Sequence, residues 1–529
     1  MKLRLLSLPL VVALAAAGLA NAHDTDSQTG PLGKVAFPTS CSKKVQPLFE
    51  RGVAMLHSFW YSAGEQTFRD VLKQDPNCAI ATWGIASILM SNPLAGQGAS
   101  PKGAEAAIAA LEEGRRIGAK TERERAYIEA VAAYYQDFQT RSERERQVSR
   151  ANAYEALAAR YPRDDEAQIF SALYTAGTQT QADQTYAAYL KAATVLEKAF
   201  RKHPNHPGVA HYLIHSYDAP PIAGKGLTAA RRYATIAPAA PHALHMPSHI
   251  FTRVGAWEES VSTNQRSMET AKRGNEIDEA YHAYDYMVYA YLQLGQDAKA
   301  RQSIDDALKV PGASTRFVAY YAMAAMPARY VFERAAWQEA AALTPPASTY
   351  PFVEAITHFA RSVGASRAGD VAAARKDAEQ LETLHKALLA AKNNYWATEV
   401  EIQRLAAVGW IALGESKPEE ALKFMRAAAD LEDRNEKHIV TPGRIVPARE
   451  LLAEMLLQLN QPEAALKEYE ASQVREPNRF RSYAGAARAA EQSGDRAKAA
   501  AHYAKLVKLA KNADTSRPEL ASAKQFAQR

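Results

Sequence analysis

Cysteine is nearly absent from this chain of 529 residues: Cys41 and Cys78 are the only two, and nothing beside either marks a catalytic thiol. An excess of one charge is absent as well, with 64 Lys and Arg against 58 Asp and Glu for a formal +6. A balance this mild names no polyanionic partner, so nucleic acid is not expected as a ligand. Basic residues alternate with acidic ones, as in the runs TERER (121–125) and SERER (142–146). That is the pattern of solvated helix faces carrying ion pairs three and four residues apart. Beyond the first 22 residues no apolar run approaches the roughly 20 residues of a membrane span. Long runs of alternating β-branched residues are missing, which argues against sheet. No P-loop, no dinucleotide-binding glycine pattern and no GxSxG elbow occurs, so the common nucleotide and serine-hydrolase chemistries have no carrier.

The N-terminus reads as an export signal. Lys2 and Arg4 precede an apolar stretch from Leu5 to Leu19, and Ala20-Asn21-Ala22 fits the small-residue cleavage pattern. Cleavage after Ala22 predicts a mature chain starting at His23, with the two positive charges lost and a net +4. No Cys follows the cut, so a lipid anchor is not expected; an uncleaved N-terminal anchor is the alternative. Periplasmic or secreted location follows, and in such a compartment a Cys41–Cys78 bridge can persist. It would tie the N-terminal arm to the junction after the first repeat and stabilise by roughly 3 to 4 kcal/mol on the chain-entropy argument.

Ala, Glu, Lys, Arg and Leu dominate the rest, which predicts an all-α chain. Residues 446–479 carry Leu452, Ala453, Leu456, Ala465, Tyr469 and Pro477, and residues 480–513 answer with Ala486, Ala487, Ala490, Gly494, Ala499 and Tyr503, one 34-residue period later. Phe68, Pro76 and Trp83-Gly84 repeat this grammar near the front. It resembles the tetratricopeptide repeat (TPR) superfamily over nearly the whole mature chain. The resemblance implies a right-handed α-solenoid of about eleven or twelve helix pairs. The expected organisation is a signal peptide (1–22), a flexible arm (23–44), the solenoid (45–513) and a C-terminal tail (514–529) that reads as a frayed helix.

His211 and His215 stand four residues apart, and His245 and His249 repeat that spacing 34 residues on. Residues four apart share a helix face, and equivalent positions of successive repeats stack. With Pro207 and Pro241 as the first residues of their repeats, the TPR resemblance implies that all four imidazoles face the concave groove. Aligning Val254-Gly255 with Leu294-Gly295 places His282 beside His242 and Asp285 beside His245. The segments His211–Asp218 and His242–Phe251 (HALHMPSHIF) also resemble a narrower group of exported bacterial TPR proteins, which carries over no activity. Members of that group have His after the Asp, where this chain has Ala219, so no further ligand is implied there.

Imidazole is the commonest protein ligand of zinc and copper, and four of them could close on a single ion. His211, His215, His245 and His249 are the candidate ligands, with Asp218, His242, His282 and Asp285 as additional ligands or groups that orient an imidazole. Pro247 breaks the helix hydrogen bonding between His245 and His249 and suits a pocket better than a packing helix. His57 and Trp83 are candidates for the same wall, with inter-repeat core as the plainer reading of the aromatic. Neither histidine pair is HExxH, and no Glu stands ready as a base, so the sequence leans against catalysis. Three functions follow: an exported scaffold binding a protein or peptide in its groove, with a His pocket holding Zn or Cu; a metal-dependent hydrolase or oxidase; and a metal-free scaffold whose histidines only hydrogen-bond.

Overall fold

The computed structural model describes residues 30–312, 314, 316–526 and 528. The expected signal segment and its cleavage site lie outside the described residues, as does the start of the expected arm. Among the described residues every regular element is helical. Consecutive helices pack on one another in chain order, from Gln46–His57 against Tyr61–Gln74 to Phe480–Gln492 against Arg496–Leu509. The chain is a TPR-like α-solenoid, with a helix count in keeping with the eleven or twelve pairs expected.

Local signals set the helix starts. Proline occupies the first helical position at Pro101, Pro207, Pro241, Pro351 and Pro462, where its missing N–H costs nothing. Ser142 and Glu145 form a reciprocal capping box on the helix Glu143–Arg160. Inter-repeat packing follows a small-on-large rule. A Cβ on Gly84 would lie 2.5 Å from the Phe68 ring, and one on Gly485 would lie 2.1 Å from the Tyr469 ring. Both pairs are sixteen residues apart, at opposite ends of the coil.

The expected flexible arm is packed from residue 30 onward. Phe37 is fully buried against Phe49, Trp83 and Tyr127, and Ser40 donates from both its backbone N–H and its hydroxyl to Glu124. The Cys41 and Cys78 sulfurs are bonded. The expected frayed tail is likewise a seated helix, Pro518–Phe526, with Leu520 and Ala523 buried and Arg517 paired to Asp297. In both places a buried apolar anchor holds a segment that reads as polar in sequence.

One segment breaks the repeat pattern. Residues 434–447 form no regular element yet are almost wholly buried. The Glu436 N–H donates to the Gln181 carbonyl at 2.9 Å, Tyr186 donates to the Glu436 carboxylate at 2.8 Å, and Arg329 donates to the Gly443 carbonyl at 3.0 Å. Ile439 belongs to the core of the first half, while Ile445 and Val446 belong to that of the second. A buried irregular segment needs partners for its backbone groups, and here both halves of the coil supply them. The two halves also meet directly where the Trp257 indole donates to the Asn478 carbonyl at 2.6 Å.

Candidate metal centre

Three neighbouring helical rods bring six histidines together. Pro207–Ser216 carries His211 and His215; Pro241–His245 and Pro247–Val254 carry His242, His245 and His249; Ile277–Gln293 carries His282. Pro247 leaves the Ala243 carbonyl without its helical donor, yet Met246 keeps helical dihedrals (φ −52°, ψ −35°), so His245 and His249 stay on one face across the break. The four central histidines are at most 2% exposed. They are buried rather than set on an open groove, with Phe59 and Tyr286 packed on the rings and Lys437 and Glu436 of the 434–447 segment paired to Asp218 and Arg253 beside them.

The structure divides these histidines differently from the single four-histidine ion expected. His211, His215 and His242 converge in one triad, and His245, His249 and His282 in another, with the ligand-capable atoms of each triad within 4.8 Å of one another. The triads abut, with ring centroids of His215 and His249 5.7 Å apart and those of His242 and His245 6.0 Å apart. His242 meets His211 at 5.1 Å and His282 meets His245 at 4.1 Å. His215 and His249 thus keep the register read from sequence, whereas His242 and His282 each lie against a histidine about one helical turn from the position expected. The same shift carries Asp285 away from both triads, where Arg329 pairs with it.

Hydrogen-bond partners fix most of the ring protons. His245 Nδ1 lies 2.7 Å from Asn264 Oδ1, and the Asn264 amide is oriented by donating to the Ser260 carbonyl at 2.8 Å, so His245 carries its proton on Nδ1. His249 Nδ1 lies 2.9 Å from the Asp218 carboxylate and must donate there too. Both Nε2 atoms then present bare lone pairs, and they face each other at 3.0 Å. The Tyr286 hydroxyl, 3.3 Å from His249 Nε2, can offer one proton but leaves His245 Nε2 without one. Protonating a ring would relieve the clash, but burial opposes it. Burial pushes His249 down to about 4 in spite of Asp218, and pushes His211, His215, His245 and His282 well below the usual histidine range, with neighbouring imidazoles adding to the effect.

Asp218 stays ionised although buried, because Lys437 and Arg253 hold its carboxyl below the usual range. The Arg253 Nε donates to it at 2.8 Å and Lys437 Nζ stands 3.6 Å away. Around the rings lie Phe59, 4.4 Å from His211 between centroids, and Tyr286, 4.6 Å from His245. Phe59 sits at φ +51°, a left-handed conformation that a bulky residue adopts only when its surroundings enforce it.

Several of these contributors escape a sequence reading. Asn264 comes from the helix Trp257–Arg273, Glu279 stands one turn before His282 and accepts from His242 Nδ1 at 3.2 Å, and Lys437 arrives from the buried segment. Only Glu279 carried a signal, its i, i+3 spacing to His282. His57 joins through its backbone: its carbonyl accepts from His211 Nδ1 at 2.6 Å. Its ring belongs to a separate cluster with Glu166 and His206, in which Glu166 takes an imidazole on each oxygen at 2.9 Å. His206 Nδ1 accepts from the Val209 N–H and His57 Nδ1 meets the Tyr212 hydroxyl, so every ring nitrogen there has a complementary partner and no cation is called for. Trp83 packs among Phe37, Tyr127 and Phe170 and donates to Tyr154, as inter-repeat core.

No family model and no curated protein matches this chain. Among solved structures it is similar to the human IFIT1 dimer with PPP-AAAA, at 13% identity and a TM-score of 0.38 over 82% of this chain and 90% of that one. It is also similar to yeast Tom70, at 12% identity and 0.33 over 92% and 95%. A third is Cut9–Hcn1 of the APC/C hetero-tetramer, at 12% and 0.29 over 91% and 96%. Likeness at this level transfers no activity, and the fold stands on the helices described above.

Proposed function

We propose that this chain is an exported helical-repeat protein built around a buried transition-metal centre of Zn or Cu, with His245, His249 and His282 as ligands. The observation that carries the reading is the 3.0 Å approach of two Nε2 atoms whose protons are both committed elsewhere. Two neutral acceptors repel at that distance. Two nitrogens bonded to one ion at about 2.0 to 2.1 Å lie roughly 3 to 3.4 Å apart. Asn264 and Asp218 behind the rings are the partners that metal-bound imidazoles characteristically have. Export is supported by the signal-like N-terminus and by the Cys41–Cys78 bond.

Metal analysis of the untagged mature protein tests this directly. At least one tightly held equivalent is expected, with a thermal shift on adding Zn²⁺ or Cu²⁺ to protein stripped by chelator. Less than about a tenth of an equivalent, with no shift, would refute it. A protein or peptide partner, in this reading, docks on an outer surface, because residues 434–447 fill the inside of the coil beside the histidines. Catalysis is a second reading favoured by one observation, that three imidazoles leave a coordination position open for water or substrate. Turnover that follows metal content would establish it.

A further inference from the structure

His245, His249 and His282 account for one ion, and three imidazoles remain. Their ring protons are placed independently of the first triad. His211 donates from Nδ1 to the His57 carbonyl and His242 from Nδ1 to Glu279, so the Nε2 atoms of both carry lone pairs. His242 Nε2 is buried with no hydrogen-bond partner at all. His215 can give a proton from Nε2 to His211 Nε2 at 3.1 Å, which satisfies that pair but leaves His242 as it was. His215 Nδ1 has no partner with or without an ion, so it does not discriminate. Phe59 packs on all three rings, within 4.4 to 6.1 Å of His211, His242 and His215 between centroids, and its ring offers none of them a hydrogen-bond donor of the N–H or O–H kind. A buried lone pair without a donor is costly, and a cation held by the three rings removes that cost.

We propose that the chamber holds a pair of ions, one on each histidine triad, and that copper is the metal it takes. This rests on the metal reading above and extends it to the second triad. Neither triad contains a thiolate or a carboxylate ligand, and imidazole alone suits copper, zinc or nickel. Charge narrows the choice. One carboxylate stands behind each triad, Asp218 behind His249 and Glu279 behind His242, and Asp218 is shared with Arg253 and Lys437. With so little spare negative charge in a buried site, the ion of lowest charge is favoured, which is Cu(I). Three imidazoles satisfy Cu(I) without further ligands.

The test uses the full mature chain, stripped by chelator, loaded anaerobically with excess Cu(I) or separately with ZnCl2, and desalted. Two copper ions per chain are expected, falling to one in His215→Gln and to one in His249→Gln, with helical circular dichroism unchanged. One ion that His249→Gln removes and His215→Gln retains would overturn the pair and leave the single centre standing. One ion lost in both variants would overturn it in favour of an ion shared between triads, and none would overturn both readings. Two zinc ions without copper would overturn the metal assignment. Should a variant fail to fold, titration of the unaltered protein against a colorimetric Cu(I) chelator decides: a break at two equivalents supports the pair, and a break at one overturns it.

Discussion

Asn264 is the residue on which the metal reading can be tested with least disturbance. It is uncharged, fully buried, and its side-chain oxygen is the acceptor that holds the His245 proton on Nδ1. Asn264→Leu keeps the volume and removes that acceptor. In the metal-free protein the His245 proton then moves to Nε2 and is shared with His249, so the net loss of stability is at the low end of the roughly 1 to 3 kcal/mol of an orphaned buried group. The metal must now displace that proton. Loss of such an orienting partner weakens metal affinity about 10- to 100-fold, equivalent to about 1.4 to 2.7 kcal/mol. At a metal concentration of 100 times the original Kd, the unaltered protein gains about 2.7 kcal/mol from binding, and a variant weakened 100-fold gains about 0.4 kcal/mol. Asn264→Asp restores an acceptor and is expected to bind at least as tightly as the unaltered protein, although the metal-free form loses stability through its buried charge. Chelator competition at constant pH, with urea denaturation in the presence and absence of metal, measures both quantities. Affinity of Asn264→Leu within threefold of the unaltered protein, or an Asn264→Asp variant that behaves like the leucine, would refute the assignment of ring protons from which the centre is inferred.

Three further expectations concern the frame. Breaking the Cys41–Cys78 bond by Cys78→Ala, or by reductant, removes roughly 3 to 4 kcal/mol for a separation of 37 residues, measured by urea denaturation; a loss below about 1 kcal/mol contradicts it. Glu454 bridges Arg367 and Arg481, and although burial alone would raise its carboxyl, the two guanidiniums hold it at about 2. Its contribution, roughly 3 kcal/mol, is present above the unfolded carboxylate value near 4.5 and is lost as pH falls toward 2. Glu454→Gln therefore lowers stability at neutral pH and flattens the pH 5 to 2 slope, and an unchanged slope would count against the pairing. Gly443→Ala places a Cβ 2.5 Å from the Tyr289 hydroxyl, which is fixed by Arg479 at 2.7 Å, and should cost about 1 to 3 kcal/mol; a change under about 0.5 kcal/mol would mean a looser seat for the segment.

Much of this architecture was legible in the sequence, because repeat folds encode local rules. Pro207 and Pro241 announced helix starts, Phe68 and Gly84 carried the repeat grammar, and the two HxxxH pairs announced a shared wall. The register between helices was less legible. Equal sequence positions need not lie level in space, and a shift of one turn sets His242 against His211 and His282 against His245, while Asp285 moves out to Arg329. Residues that hold the ring protons were less legible still. Asn264 and Glu279 are ordinary polar residues on helices, and their role depends on where a neighbouring helix places an imidazole. The segment 434–447 carries no periodicity, and its contacts reach residues such as Tyr186, 250 positions away, so no local pattern betrays it.

That segment changes what kind of object the protein is. An ordinary repeat array is close to one-dimensional, so units can be trimmed or added at an end and the remainder stays folded. Here Glu436 and Lys437 bind residues of both the first half and the histidine chamber, and they come from late in the chain. A truncation before residue 434 would remove the cover from Asp218 and Arg253 and leave both cores with an open flank. The coil should therefore unfold as one unit, and the chamber cannot be completed until nearly the whole chain has been made. Uptake of any metal by the proposed centre would then come as the last step of folding.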